Sequence, residues 1–348
     1  MRLLAARTQA GLSQDALVRL LNGQISKTAI ARYERGEMEP GLINAKLLAE
    51  ALKQSMDYFY RPFTMSITSI DFRKNASLSI KSKKMITEKI AAFTERYLIL
   101  ENLLDFQTTF ENPLKNNKVR NMEDIELLAE ELHEAWELGF NPLGPIMCML
   151  EDKGIKILEL DTEEKFQGSL VTVQGNIPFI VIRKADTVER RRLTALHEVG
   201  HLLLDFDESF TETEVERLCN IFASAVLLPR RTFKREIGLV RSDFSKRELS
   251  IIKDRYGISA GAFVMRAYNM GVINKFRMIK LINITRQTKL EDHLGSHQLK
   301  DHPDRFDQLI SIALSEGRIS LTKAAELAQL DLETLMLNFV NNEETFTN

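Results

Sequence analysis

Two histidines four residues apart, His197 and His201, bracket Glu198 in the run Leu193-Thr194-Ala195-Leu196-His197-Glu198-Val199-Gly200-His201-Leu202-Leu203-Leu204. The surrounding apolar residues have helical spacing, and a step of four returns to the same helix face, so both imidazoles project together. Zinc favours imidazole nitrogen, and a site with three protein ligands keeps a fourth position for water. Glu198 directly follows the first histidine, where its carboxylate can reach that water and act as general base. A zinc ion lowers the pKa of the water and polarises a carbonyl, so peptide hydrolysis is the expected chemistry. The bland alternative is a buried helix whose histidines bond internally. The apolar setting directly after a predicted strand favours metal.

A third ligand must come from elsewhere, and the acidic cluster Glu212, Glu214 and Glu216 lies on the approach to another helix. Any of the three could be plain solvated surface. Glu216 is the choice because Asn220 follows it by four residues, so one face offers a ligand and an amide that could fix the tautomer of His197 or His201. His293 and His297 are also four apart, but Gly295 and Ser296 weaken a helix there and no glutamate follows the first histidine. Met147, Cys148, Met149 and Trp136 read as core packing.

The elements that must position these residues follow from periodicity. Residues 1 to 60 show helical spacing broken near Gly11, Asn22-Gly23 and Gly36 to Pro40, which fits four or five short helices. The section from Asp71 to Asn117 opens with Phe72-Arg73-Lys74. Ile86, Ile90, Phe93, Tyr97, Leu98 and Leu100 then mark a long connecting helix. A helix over about 123–138 and another after Pro145 precede three predicted strands, Ile155 to Leu160, Gly168 to Val173 and Phe179 to Arg183. The last is expected to be an edge strand beside the active-site helix, onto which an extended substrate could add. Helical periodicity resumes at Thr187. Residues 285–304 are polar and turn-rich, a linker before a last helical region. The fold class is therefore mainly α with a small β-sheet, α+β. The expected domains are 1–63, a connecting segment 64–120, a peptidase domain 121–280, and a carboxy-terminal linker and helical region 281–348.

In the first domain Ser13 can cap a helix with Ala16, Leu17 and Leu20 on its inner face, and Ser26 can cap a second running to Arg35. Two short helices joined by a Gly-containing turn make a helix-turn-helix, whose second helix can enter the major groove of DNA. Arg and Lys neutralise phosphate, while Thr, Ser and Gln bond to bases or backbone. Residues 1 to 63 carry nine basic against six acidic side chains, a mild local bias. The words Gly11-Leu12-Ser13-Gln14, Ala29-Ile30-Ala31-Arg32-Tyr33-Glu34-Arg35-Gly36 and Pro40 resemble XRE-type domains of phage-repressor-like regulators. That resemblance implies DNA as a partner and Gln14, Ser26, Lys27, Thr28 and Arg32 as contacts.

A second resemblance spans roughly residues 65 to 340. Arg191-Arg192 leading into the His-Glu-Val-Gly-His run, then Glu216 to Asn220 and the following Ile221-Phe222-Ala223-Ser224-Ala225-Val226-Leu227-Leu228-Pro229, is similar to the ImmA/IrrE metallopeptidase family. Ala129 to Gly139, Gly144-Pro145-Ile146, Tyr256-Gly257-Ile258-Ser259 and Arg266 fit the same pattern. Leu193, where an aromatic residue is usual, and Ala225-Val226, in place of a more polar pair, depart from it. The resemblance implies a zincin-like domain with His197, His201 and Glu216 as zinc ligands and Glu198 as base. It also implies a protein substrate, a helix-turn-helix repressor, cut to release regulated genes. Two rivals are kept. One is a transcriptional regulator or antitoxin-like protein in which the peptidase fold is only a sensor or interaction module. In the other the first domain no longer binds DNA and recruits substrate by pairing with a similar repressor. A homodimer is compatible with either.

Composition bounds these readings. Of 348 residues, 44% are hydrophobic and 28% charged, a globular profile and not a disordered or fibrous one. The formal charge of −2 gives no global attraction to nucleic acid. Two cysteines, Cys148 and Cys219, are too few for a disulfide framework and read as reduced core residues. No apolar run reaches membrane-spanning length and the first residues lack the core of a signal peptide, so no membrane partner and a cytoplasmic location are expected.

Overall fold

The structure, a computed structural model, describes residues 2–61, 67–70, 78–115 and 117–340. Its contacts divide the chain into two units, Met1–Gln107 with Asp304–Asn348, and Thr108–Pro303. Phe72-Arg73-Lys74 lies outside the described residues.

The first unit begins with α1 (Arg2–Gln9), α2 (Gln14–Leu20), α3 (Lys27–Arg35) and α4 (Leu42–Leu52), followed by strand β1 (Ile67–Ile70) and α5 (Ile80–Leu104). Ser13 and Ser26 cap α2 and α3 by accepting from the amides of Ala16 and Ala29. Gly36 ends α3 at φ +74°, the left-handed conformation that glycine adopts without a Cβ penalty. Leu17 and Ile30 are fully buried and Leu21, Ile25 and Tyr33 nearly so. They form one small core with Leu3, Leu48 and Leu52. The helix expected as a connector is α5, with Ile86, Ile90, Tyr97, Leu98 and Leu100 buried and Phe93 partly so. It packs within this unit, where Arg2 pairs with Glu95 at 2.6 Å.

The second unit runs β2 (Lys118–Val119), α6 (Met122–Ala135), α7 (Ile146–Asp152), β3 (Lys156–Leu160), β4 (Ser169–Val173), β5 (Ile177–Arg183) and α8 (Val188–Leu203). There follow β6 (Asp205–Phe206), α9 (Glu212–Leu227), α10 (Arg230–Ile237), α11 (Lys246–Tyr256), α12 (Ala260–Asn269) and α13 (Lys275–Gln287). β5 runs parallel to β3, with Ile180 opposite Ile157, and antiparallel to β4, with Ile180 opposite Leu170. The expectation that Phe179–Arg183 forms a sheet edge is therefore wrong: β5 is paired on both sides. The sequence reason is legible afterwards. Phe179, Ile180, Val181 and Ile182 are all fully buried, the continuous apolar run of a strand covered on both faces, whereas exposed edges are interrupted by charge or proline. One core joins α6, β5, α8, α9 and α12 and includes Trp136 and Met147.

The last helices, α14 (Arg305–Ser315), α15 (Leu321–Ala328) and α16 (Leu332–Leu335), return to the first unit. There Phe306 packs on Phe93 with ring centroids 4.9 Å apart, and Arg96 of α5 donates to the Leu327 carbonyl at 2.6 Å. The stretch read as a polar linker is in part a strap on the second unit. Asp301 is fully buried, pairs with Arg192 at 2.6 Å, and accepts from the amides of Ile146 and Met147. Among the described residues, no helix is long and apolar enough to cross a membrane.

Candidate metal centre

His197 and His201 project from one face of α8, as a four-residue step requires. α8 starts where Thr187 accepts from the Arg190 amide, and α9 where Thr211 and Glu214 make a reciprocal capping box. The two helices meet at Gly200. A Cβ there would stand 3.3 Å from Cβ and Sγ of Cys219 and from Cδ1 of Phe222, tighter than most side-chain contacts. The missing side chain lets α9 approach α8 so closely that Glu216 and Asn220 reach the histidines.

The four groups converge. Nε2 of His197 and Nε2 of His201 are 3.1 Å apart. The Glu216 carboxylate puts Oε2 3.3 Å from the first and Oε1 3.2 Å from the second. Nδ1 of His197 is 3.0 Å from Oδ1 of Asn220, whose amide nitrogen donates to the Glu216 carbonyl at 2.9 Å. That second bond fixes the orientation of the amide: its oxygen faces the ring, so His197 carries its proton on Nδ1 and turns the Nε2 lone pair inward. Lone pairs from two imidazoles and a carboxylate thus face one point, an arrangement that a cation relieves. Zinc–nitrogen and zinc–oxygen bonds of about 2.0–2.2 Å in tetrahedral geometry separate ligands by roughly 3.3–3.5 Å, and the observed spacings are close to that.

Cys219 is a competing third donor, since its Sγ and ring nitrogens of His197 and His201 lie within 4.8 Å of one another. It is fully buried in the helix contact beneath Gly200, whereas both oxygens of Glu216 face the two Nε2 atoms at bonding range. Glu216 is the better fit. The other two glutamates considered, Glu212 and Glu214, do not share its place: Glu212 is exposed, and Glu214 is engaged in the cap of α9. Glu198 is only 2% exposed on α8.

Sequence reasoning missed three positioning features. Gly168, at φ +106°, lies against α8 just before β4. A Cβ there would fall 2.5 Å from Cγ2 of Thr194 and 3.3 Å from Oε1 of Glu198. Only glycine allows the strand to come this near the carboxylate. Arg191 pairs with Glu159, and the Glu189 carboxylate accepts from the His297 amide at 2.7 Å. Arg192 is fully buried, pairs with Asp301 and donates to the carbonyls of Leu143 and Gly144. Burial pushes its guanidinium below the usual arginine range, with Asp301 opposing the shift. Arg191-Arg192 was visible as a sequence word, but nothing near it in sequence points to Glu159 or Asp301. His293 and His297 do not form a pair site: His297 directs Nδ1 to the Asp254 carbonyl at 2.5 Å.

In the first unit Ser26, Lys27, Thr28 and Arg32 are all exposed along α3. Gln14 is placed differently. It is half-buried, and its amide nitrogen donates at 2.8 Å to Glu34, which also pairs with Arg7. Lys27 pairs with Asp15 at 2.8 Å, an exposed contact that a polyanion can displace.

Residues 3–59 match the Helix-turn-helix family model, and residues 150–268 match that of the IrrE N-terminal-like domain. No curated protein and no solved structure matches the chain. The second match spans β3 to α12 and so contains His197, His201, Glu216 and Asn220. The chain thus joins a stretch similar to XRE-type helix-turn-helix domains, residues 3–59, to one similar to the IrrE N-terminal-like domain, residues 150–268.

Proposed function

We propose that the protein is a zinc-dependent endopeptidase acting as a regulatory protease on a repressor-type protein, with DNA bound through its first domain. The observation that carries this reading is the convergence of His197, His201 and Glu216, with the buried Glu198 directly following His197 on α8. Bound zinc would supply a Lewis acid that acidifies water and polarises the scissile carbonyl. The protein's own groups do the rest. Asn220 holds the His197 ring in one tautomer, so its Nε2 stays unprotonated and available. Glu198 takes a proton from the attacking water as the carbon–oxygen bond forms, then gives it to the departing amine nitrogen as the carbon–nitrogen bond breaks. Its burial keeps bulk water from competing for that proton. On the DNA side, α3 presents Ser26, Lys27, Thr28 and Arg32 on one exposed flank, as a recognition helix requires.

The test compares the proteome of cells carrying the native chain with that of cells carrying Glu198→Gln, together with metal analysis of both purified proteins. The expected result is about one zinc per chain in both, and one protein that stops being cut in the variant, with cleavage falling roughly 10²- to 10⁴-fold. Zinc in both proteins with no change in any cleavage product would overturn the protease reading in favour of a sensor.

A further inference from the structure

We infer that α5, which lies outside the matched helix-turn-helix segment, carries a second DNA contact: Lys81, Lys83 and Lys84 form a clamp for the sugar-phosphate backbone beside the turn from α1 to α2. The inference rests on the DNA-binding reading above and extends its footprint. Lys81, Lys83 and Lys84 line a groove of about 750 Å³ together with the turn from α1 to α2, Gly11 to Ser13; Arg7 and one carboxylate, Glu88, also line it, so the cations outnumber the acid. The groove has a fixed width. Met85, next to Lys84, has its Sδ 3.2 Å from where a Cβ on Gly11 would stand, and Arg2 of α1 pairs with Glu95 about three turns further along α5. Lys81 and Lys84 are exposed and Lys83 partly so, and none of the three forms an ion pair with any described residue. Several other cations of this unit are paired: Arg2 with Glu95, Arg7 with Glu34, Lys27 with Asp15, and Arg61 with Asp57 and Glu326.

The groove also continues the surface already assigned to DNA. Lys27, at the start of α3, touches Asp15, and Ser13 two residues earlier lines the groove. Three unpaired ammonium groups on a rigid wall suit a repeating polyanion, and phosphate is the only part of a duplex that offers negative charge independently of sequence. The positive end of the α5 helix dipole, at Ile80 and Lys81, adds to the same field.

The test is binding of the full chain to a 30-base-pair duplex of random sequence, by fluorescence anisotropy from about 50 to 200 mM KCl. Each phosphate contact contributes about 0.9 to the slope of log affinity against log salt. The variant Lys81→Gln, Lys83→Gln, Lys84→Gln should therefore bind with a slope smaller by roughly 2.7. A control that removes the same charge from the second unit, Lys234→Gln, Lys275→Gln, Lys280→Gln, should keep the native slope. An unchanged slope in the α5 variant, or an equal drop in the control, overturns the clamp while native binding leaves the DNA reading standing. No binding by the native chain at the lowest salt overturns both.

Discussion

α3 and α8 are both capped amphipathic helices that carry the residues of a candidate site, yet they turn those residues in opposite directions. On α8 the functional side chains face inward, with His197 5% and Glu198 2% exposed. On α3 they face outward, and the inner face holds only Ile30, Tyr33 and Glu34. The anchoring differs accordingly. α8 is pinned through Glu189, Arg191 and Arg192 to residues distant in sequence. α3 rests on two apolar side chains and the Arg7–Glu34 pair. A helix that must aim several ligands at one point needs its position fixed to fractions of an ångström. A helix that meets its partner from outside needs only rigidity, because the partner adjusts to it.

The largest effect should come from breaking the anchor of α8. Asp301→Ala leaves a fully buried guanidinium without its carboxylate and two α7 amides without an acceptor, a loss of about 3–5 kcal/mol. The urea midpoint of the second unit measures it. Replacing both partners, Arg192→Met with Asp301→Leu, should recover part of that loss, since no charge is left unmatched while the two α7 amides still lack an acceptor. A loss below about 1 kcal/mol for the single change would mean that α8 needs no such anchor. Asn220→Ala should come next. It frees Nδ1 of His197 and should weaken zinc binding about 10- to 100-fold with little change in stability, as read by competition with a zinc indicator. Unchanged affinity would show that the His197 ring is held by packing alone.

The same contrast explains what the sequence could reveal. The histidine pair and the Glu216–Asn220 pair were each legible as one helix face, because a step of four puts two groups together whatever surrounds the helix; that the two faces meet is a relation between helices, beyond what spacing gives. The small sheet was legible from Ile155 to Arg183, with strand limits close to those observed. The pairing of β5 on both sides was not, since an apolar run marks burial without naming neighbours. Asp301 looked like part of a polar linker because its partner Arg192 is 109 residues away. Gly168 and Gly200 gave no signal of their own, as a glycine marks close approach only once the approaching element is known. The DNA contacts were named by the family resemblance, and they included Gln14 of α2, which is half-buried against Glu34. An exposed face carries no periodic constraint beyond being polar.

The smallest effect compares the two caps directly. Ser26 Oγ accepts from the Ala29 amide at 3.2 Å, and Thr187 Oγ1 from the Arg190 amide at 3.4 Å. With few other anchors, α3 should lose about 1 kcal/mol in Ser26→Ala. Exchange of the Ala29 amide hydrogen should then quicken roughly fivefold. In Thr187→Ala the ion pairs of Arg191 and Arg192 still hold the first turns of α8, so the Arg190 amide should quicken less than about twofold. Equal acceleration at the two caps would show that both helices depend on local capping alike, and that the buried ion pairs do not stiffen the start of α8.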